Sequence, residues 1–371
     1  MILAKKVRLY PTKEQEQKLW QSVGTARFIY NWTLAKQEEN YKNGGKFISD
    51  SVLRKEITKL KKNELSWLNE VSNNVAKQAV KDACDSYKRF FKGLSGKPRF
   101  KSKKRSKKSF YHDNVKLKVK DNKLVKIEKI GWIKTNEQLP IGVKYSNSRI
   151  SYDNKYWYLS VGIEQKEIQE KLTDVSLGID LGIKDLAICS DGTVYKNINK
   201  TYAVRKIEKK LKRLQKQVSR KYEKNKKGKE YVKTKNIIKL EKQIQQVHRR
   251  LANIRNNYLH QTTTNIVKTK PCRVVIEDLA VSNMMKNKHL SDAIRKQGFY
   301  EFRRQLEYKC KFRGIKLVVA DRFYPSSKTC SQCGEIKKDL KLKDRVYKCS
   351  CGLNIDRDLN ASINLSKYKL A

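Results

Sequence analysis

Residues 175–192, VSLGIDLGIKDLAICSDG, decide the fold of this chain. An apolar run carries one central carboxylate, that of Asp180, and a glycine turn leads into a second run that ends at Asp191. The pattern predicts a β-hairpin that holds its acid on a rigid strand. Gly178 and Gly182 flank the acid, and we expect them to let a metal ion or a polyanion approach the backbone. A core strand whose aspartate only caps a turn would explain the same letters.

The composition indicates a polyanionic partner. Lys and Arg total 86 residues against 37 Asp and Glu, so the formal net charge is +49 over 371 residues. A chain this basic repels itself unless a polyanion such as nucleic acid neutralises it. The sequence contains no run of about 18 apolar residues, the length that a membrane-spanning helix needs. The first residues also lack the apolar stretch of a signal peptide. We therefore expect an intracellular protein.

The first third of the chain predicts a helical bundle. Residues 1–11 alternate as in a strand, and Thr12 with Gln15 forms a capping box that begins a helix. Apolar residues recur at helical spacing in two segments of residues 12–94.

Residues 95–170 predict short strands instead. Asp-Asn pairs at 121–122 and 153–154 are typical of hairpin turns. With residues 1–11 these strands predict a small β-barrel into which the bundle is inserted. KPRFKSKKRSKK, residues 97–108, fits either a groove along a nucleic-acid backbone or a solvated loop.

Residues 201–258 predict a basic helical hairpin. Two runs with heptad-like apolar spacing are separated by the sequence Lys226-Lys227-Gly228. Residues 201–255 hold 20 basic and 4 acidic side chains, a surplus beyond what solubility needs. A purely structural coiled-coil arm would explain the apolar stripe.

Strands and helices alternate in the second half and place two more acids at their ends. Glu277 closes the strand-like segment RVVIEDL, and a helix at 293–312 and a strand at 316–321 follow, as in an α/β sheet. Asp358 lies in the first turn of a helix that Asp356 is placed to cap.

Asp180, Glu277 and Asp358 together form the set that two divalent cations need to clamp the attacking water and the leaving oxygen of a phosphodiester.

Four of the eight cysteines predict a structural zinc site. Cys330 and Cys333 form one pair, and after fifteen residues Cys349 and Cys351 form a second pair with a single intervening residue. This is close to the spacing of a tetrahedral four-cysteine site, in which no coordination position stays open. Redox pairing is the alternative.

Three segments resemble the motifs of a known family. GIDLGIKDLA (178–187), VIEDLAV (275–281) and CGLNIDRDLNASINL (351–365) resemble the three motifs of the RuvC-type, RNase H-like nuclease domain of TnpB (OrfB) proteins. These proteins are encoded by bacterial insertion sequences and are related to type V CRISPR effectors. RLYPTKEQEQKLWQSVGTARFIYNW, KPRFKSKKRS and YPSSKTCSQCG resemble the family's N-terminal segment, basic loop and entry to the zinc ribbon, so the resemblance covers the whole chain.

The resemblance implies an α/β and α+β multidomain fold. Its parts are a wedge-like β-barrel (1–11 and 95–170), a helical recognition bundle (12–94), a RuvC-like nuclease domain (171–325 and 353–371) that carries the hairpin 201–258, and a zinc ribbon (326–352).

Residue by residue, the resemblance assigns two catalytic Mg²⁺ ions to Asp180, Glu277 and Asp358, and one structural Zn²⁺ to Cys330, Cys333, Cys349 and Cys351. Asp356 is a lesser candidate, because the family's third acid lies two residues before an asparagine, here Asn360.

The resemblance further implies a transposon-associated, RNA-guided DNA endonuclease in the cytoplasm of a bacterium or archaeon, near the nucleoid. An RNA from the transposon end pairs with double-stranded target DNA while the protein, favoured as a monomer, reads a short flanking motif. Two other functions stay open. One is a DNA-strand-joining transposase with the same two-metal chemistry, and the other is a nuclease-inactive nucleic-acid-binding regulator, which the presence of all three acids disfavours.

We predict that the protein purifies with bound RNA at moderate salt and loses it steeply as the salt concentration rises. Each phosphate that Lys or Arg neutralises releases a counterion, so the affinity falls with the logarithm of the salt concentration. The measurement is the RNA extracted from the protein across a salt series. Protein free of nucleic acid at low salt would contradict the prediction.

Overall fold

A computed structural model of the chain describes residues 1–168, 170–341 and 344–369. It divides into two units, Met1–Gln165 and Lys166–Ala371. None of the helices in these described ranges combines the length and the apolar character that crossing a lipid bilayer requires. The domain limits given above stay predictions, and the last of them, residue 371, lies outside the described residues.

The first unit combines a helical bundle with an antiparallel sheet. Its elements are β1 (Ile2–Tyr10), α1 (Lys13–Lys42), α2 (Asp50–Leu60), α3 (Asn73–Phe91), β2 (Lys108–Tyr111), β3 (Lys118–Lys120), β4 (Leu124–Ile127), β5 (Gly131–Thr135), β6 (Tyr145–Tyr152) and β7 (Trp157–Glu164). The strands pair in the order β2-β6-β7-β1-β5-β4-β3, so the N-terminal strand lies at the centre. Leu19 and Val23 of α1 and Val75 of α3 share one core with the sheet.

Local signals in this unit are confirmed. The backbone N–H of Gln15 donates to Oγ1 of Thr12, and the backbone N–H of Thr12 donates to Oε1 of Gln15, which is the expected capping box. Asn122 and Asn154 adopt positive φ angles of 60° and 72° in the turns, a conformation that asparagine tolerates. In the described part of the chain β2 and β3 are the sheet edges, so closure into a barrel stays a prediction.

The second unit is built on a five-stranded mixed sheet. Its elements are β8 (Thr173–Leu181), β9 (Asp185–Cys189), β10 (Val194–Lys196), α4 (Tyr202–Lys224), β11 (Lys226–Lys227), β12 (Glu230–Tyr231), α5 (Lys235–Lys268), β13 (Pro271–Glu277), α6 (Val281–Met284), α7 (Ser291–Gln297), α8 (Phe299–Arg313), β14 (Lys316–Ala320), β15 (Val346–Lys348), β16 (Asn354–Asp356) and α9 (Arg357–Ser366). The sheet order is β10-β9-β8-β13-β14, with β8, β13 and β14 parallel and the β8-β9-β10 pairs antiparallel. The hairpin predicted around Asp180 is therefore confirmed.

Two helices differ from the expected limits. The second helix of the basic hairpin continues to Lys268, ten residues beyond 258, because Ile266 and Val267 are each 1% exposed in the core under the sheet. The helix expected at 293–312 is two helices, since Gly298 adopts φ +71° and ends the first of them.

Helix α9 lies directly on strand β8 because Gly178 has no side chain. A Cβ atom at this position would lie 2.0 Å from the carbonyl oxygen of Ser362 and 2.4 Å from the backbone nitrogen of Ser366. The expectation that Gly178 admits a metal ion or a polyanion is therefore wrong. Gly182 likewise faces protein backbone, since a Cβ atom at this position would lie 3.2 Å from the carbonyl oxygen of Asp185.

We predict that Gly178→Ala lowers the free energy of unfolding by about 1–3 kcal/mol, because the added methyl group pushes two backbones apart. The measurement is the denaturant midpoint of the unit that carries the substitution, the second unit for Gly178→Ala and the first for Gly24→Ala. Gly24→Ala in α1 is the control: nothing lies within 4 Å of its Cβ position, so the change should stabilise the helix by roughly 0.5–1 kcal/mol. Equal effects of the two substitutions would contradict the packing argument.

Candidate active site

The parallel pairing of β8 with β13 brings two of the three acids together. Ile179 and Ile276 are register partners, and Asp180 and Glu277 each follow by one residue. Residues at the same level of neighbouring parallel strands point to the same face, and the strands lie about 4.8 Å apart. The two carboxylates therefore lie near the carboxyl ends of two neighbouring strands, on the same face of the sheet.

Helix α9 adds the third acid. Oδ1 of Asp356 accepts hydrogen bonds from the backbone N–H groups of Asp358 and Leu359, at 2.9 and 3.2 Å, so Asp356 caps the helix as expected. Asp358 occupies the first turn, and its side chain is only 18% exposed, whereas Asp356 is exposed. The cap and the half-buried acid are thus two residues with different roles.

The acids act on one another electrostatically. Burial raises the pKa of Asp180 well above its usual range, and the charges of Glu277 and Asp358 raise it further, while Arg357 opposes them. Burial also raises the pKa of Glu277, partly offset by a hydrogen bond from Ser326, and Asp358 adds to the rise. A cluster of carboxylates with these shifts favours the uptake of a positive ion, and oxygen ligands suit Mg²⁺.

Arginines supply the nearest positive charge to Asp358. The Arg357 guanidinium donates to Oδ1 of Asp358 at 3.0 and 3.2 Å, and Nη1 of Arg345 lies 4.0 Å from Oδ2. Within the described ranges, oxygens of the three acids do not all lie within 4.8 Å of one another. The electrostatic effects of Glu277 and Asp358 on Asp180 nevertheless place the three acids in one region. Within that region the Asp358 carboxylate is hydrogen-bonded to Arg357.

Contacts that the sequence analysis missed surround Glu277. The hydroxyl of Ser326 donates to Oε1 of Glu277 at 2.6 Å, across 49 positions of sequence. The adjacent Asp278 pairs with Arg303 at 3.2 Å and with Arg322 at 2.5 Å, and a cavity of ≈ 340 Å³ lined by both arginines opens beside Glu277. No local pattern predicts such contacts. The sequence signal that could have drawn attention to Ser326 is its position four residues before Cys330, the first cysteine of the cluster.

The four cysteines form one cluster that fits zinc. Sulfur atoms lie 3.6 Å apart in the pairs Cys330–Cys351 and Cys333–Cys349, and all four lie within 4.8 Å of one another. A tetrahedron with Zn–S bonds of about 2.3 Å has edges of about 3.8 Å, whereas a disulfide bond measures about 2.05 Å. The donor set therefore suits a closed, structural zinc site and not redox pairing.

The shortened second pair is accommodated by a hairpin tip. Cys349 and Cys351 follow β15, and Gly352 turns the chain into β16 with φ +93°. The backbone N–H of Cys349 donates to the carbonyl oxygen of Leu353 at 2.9 Å. The turn brings both thiols to the first pair without a second intervening residue.

The two basic segments are accessible. Residues 97–108 are mostly exposed, and the loop is held at Lys101, whose backbone N–H donates to Oδ1 of Asn31 at 2.7 Å and whose Nζ lies 3.5 Å from the ring centroid of Tyr30. Helices α4 and α5 present most of their lysines to solvent. Contact of either segment with nucleic acid stays a prediction.

We predict that Cys330→Ser releases zinc and unfolds the ribbon locally, because the ribbon is too small to bury a core and metal binding supplies its folding energy. Metal analysis should find about one zinc per chain in the wild type and much less in the variant. Cys272→Ser, at a cysteine outside the cluster, is the control and should keep its zinc. Equal zinc in the wild type and Cys330→Ser would refute the assignment.

Three family models match the chain. Residues 1–46 match "Helix-turn-helix domain" of OrfB_IS605, residues 159–288 match "Probable transposase", OrfB_IS605, and residues 299–365 match "Cas12f1-like, TNB domain". Among solved structures, a chain of the Cas12f1-sgRNA-target DNA complex superposes with a TM-score of 0.60 at 16% identity, covering 95% of this chain and 82% of that one. The likeness supports a mixed α/β multidomain fold.

Curated relatives match over nearly the full length. "Putative RNA-guided DNA endonuclease InsQ" of Escherichia coli (strain K12) is 32% identical, covering 97% of this chain and 90% of the relative. "Putative RNA-guided DNA endonuclease" of Streptomyces pristinaespiralis is 33% identical, covering 99% and 89%. "TnpB-like protein L79" of Acanthamoeba polyphaga mimivirus is 26% identical, covering 100% and 74%. On the identity and coverage of these relatives, the chain belongs to the TnpB (OrfB) family.

Proposed function

We propose that this chain is an RNA-guided DNA endonuclease that hydrolyses phosphodiester bonds with Mg²⁺ ions held by Asp180, Glu277 and Asp358. One observation carries the proposal: three carboxylates from two strands and a helix occupy one region, where burial and mutual repulsion raise the pKa values of Asp180 and Glu277. A protein keeps such a costly arrangement where it serves a function.

The strand order supports an RNase H-like, RuvC-type domain. Three antiparallel strands, β10, β9 and β8, continue into the parallel strands β13 and β14, and the first acid sits on the central strand. We accordingly propose the nuclease domain at 171–325 and 353–371, with the zinc ribbon at 326–352 between these two segments.

The names of the relatives support an RNA guide and a DNA target. Both bacterial relatives above are named RNA-guided DNA endonucleases, and the solved complex contains a guide RNA and target DNA. The formal charge of +49 fits a protein that binds both polyanions. Guide RNA and double-stranded DNA are therefore the proposed partners.

The chain's own residues divide the work. Asp180 and Glu277 present carboxylates from the carboxyl ends of β8 and β13. Asp358 presents a third from α9, the helix whose position the contact at Gly178 fixes. The hydrogen bond from Ser326 favours the ionised form of Glu277. Bound Mg²⁺ would activate a water molecule and stabilise the charge that develops on the scissile phosphate. The four cysteines would hold a structural Zn²⁺ and take no part in the reaction.

Strand joining is the second candidate function. The match of residues 159–288 to a model described as "Probable transposase" favours it, and the same acids would serve. The two functions differ in the nucleophile, water or a DNA 3′ hydroxyl. Incubating the protein, its guide RNA, a matching plasmid and a DNA fragment with free 3′ hydroxyl ends with Mg²⁺ separates them. Hydrolysis gives linear plasmid, whereas joining links the fragment covalently to the plasmid.

We predict that Asp180→Ala, Glu277→Ala and Asp358→Ala each lower plasmid cleavage by orders of magnitude, and that a double variant is hardly worse than a single one. Each removal leaves an incomplete metal site, so the effects are not additive. Binding of guide and target should survive, because dispersed Lys and Arg contacts supply the affinity and the loss of an acid removes repulsion. Cleavage and target binding are measured side by side at fixed salt and Mg²⁺.

Asp356→Ala is the matched control on the same helix. Loss of the cap should cost about 1 kcal/mol of stability and only part of the cleavage rate. Cleavage by Asp180→Ala or Glu277→Ala near the wild-type rate, or loss of binding together with cleavage, would show that the acids are not a metal site.

A further inference from the structure

A buried serine connects the two elements that carry Glu277 and Asp358. Ser326 is 4% exposed, and its hydroxyl donates to Oε1 of Glu277 at 2.6 Å. Its backbone carbonyl oxygen accepts from Nδ2 of Asn364 at 2.7 Å. Asn364 lies on α9, the helix whose first turn holds Asp358. One residue therefore contacts the strand of one acid and the helix of another.

Helix α9 also fixes the segment in which Ser326 lies. Asn360 and Asn364, one turn apart, both donate from Nδ2 to the carbonyl oxygen of Thr329, at 2.7 and 2.6 Å. Oδ1 of Asn360 accepts from the backbone N–H of Ser331 at 3.0 Å. Both asparagines are buried, so the segment can leave α9 only by abandoning hydrogen bonds away from water. Cys330 lies between Thr329 and Ser331, the two residues that these hydrogen bonds anchor.

We propose that Ser326 is a positioning residue for Glu277 and that the four-cysteine site acts on the acids through it. The Ser326 hydroxyl fixes the orientation of the Glu277 carboxylate. The hydrogen bonds of Asn360 and Asn364 set the position of Ser326 relative to α9. The cysteine cluster holds the chain at Cys330, four residues after Ser326. The catalytic consequence of the role proposed for Ser326 rests on the proposed nuclease function, whereas the contacts themselves do not.

The chemistry follows from what the hydroxyl does to the carboxylate. A hydrogen bond donated to a carboxylate favours its charged form, and Glu277 is a group whose charged form burial disfavours. Without the hydroxyl, the Glu277 carboxylate loses the donor that fixes its orientation. A ligand whose orientation is not fixed binds a cation more weakly.

The first test compares Ser326→Ala with Ser326→Thr and Ser327→Ala. Mn²⁺, which takes the same oxygen ligands as Mg²⁺, is titrated into the full chain by calorimetry at one fixed pH, with zinc content checked for each variant. Ser326→Ala should bind Mn²⁺ about 10-fold more weakly. Ser326→Thr keeps the hydroxyl and should restore affinity, and Ser327→Ala, at the half-buried neighbour, should match the wild type.

Unchanged Mn²⁺ affinity in Ser326→Ala would overturn the positioning role, as would an equal loss in Ser327→Ala or no recovery in Ser326→Thr. This readout needs neither RNA nor cleavage. Failure of the wild type to cut DNA would thus overturn the proposed function alone, and unchanged Mn²⁺ binding would overturn the role of Ser326 alone.

The second test combines Ser326→Ala with Cys333→Ser in a double-mutant cycle. Cys333 is exposed and lies outside the segment that α9 holds, so its loss removes zinc without removing an anchoring contact. If the cysteine site acts through Ser326, Cys333→Ser should weaken Mn²⁺ binding in the wild-type background and add little in the Ser326→Ala background. Amide exchange in residues 324–331 should rise in Cys333→Ser. Additive losses of affinity, or unchanged exchange, would refute the link.

Discussion

The second unit depends on the contact between the backbone of α9 and strand β8 at Gly178. The helix can approach only because that residue lacks a Cβ atom, and polar groups then complete the contact. The carbonyl oxygen of Ser366 accepts from Oγ of Ser176 at 2.7 Å and from Nη2 of Arg273 at 2.9 Å, so the end of the helix is satisfied. With Asp356 capping the other end, both ends of a ten-residue helix are fixed, and the place of Asp358 follows.

This packing has an electrostatic cost that the surroundings offset in part. The folded state holds protons on Asp180 and Glu277 more tightly than the unfolded chain does. Their contribution to stability therefore falls as the pH rises from the unfolded pKa through the higher folded one, and is lowest when both are ionised. Arg357 and the Ser326 hydroxyl reduce this cost, and a bound divalent cation would reduce it more. The same repulsion that weakens the fold makes the region selective for cations.

Sequence reasoning succeeded where the signal is local. The hairpin around Asp180, the Thr12 capping box and the Asp356 cap are set by residues within a few positions of one another, and structure confirms them. It failed where the partner is distant in sequence. Nothing near Gly178 reveals that Ser362 will lie against it, and the Ser326–Glu277 bond likewise spans separate segments. The extension of α5 was missed because burial of Ile266 outweighs the low helix propensity of the threonines before it.

The order of these elements along the chain has a consequence for biosynthesis. Asp180 and Asp358 are separated by 178 positions, with the basic hairpin and the four cysteines between them. A nascent polypeptide that has emerged only as far as the ribbon holds two of the three acids. It exposes Val275 of β13 and Val318 of β14, which share one apolar cluster with Leu365 of α9. Domains fold as they leave the ribosome, so the N-terminal unit can form early while the carboxylate cluster cannot. Translation itself thus delays the assembly of the site until the ribbon and the last helix have been made.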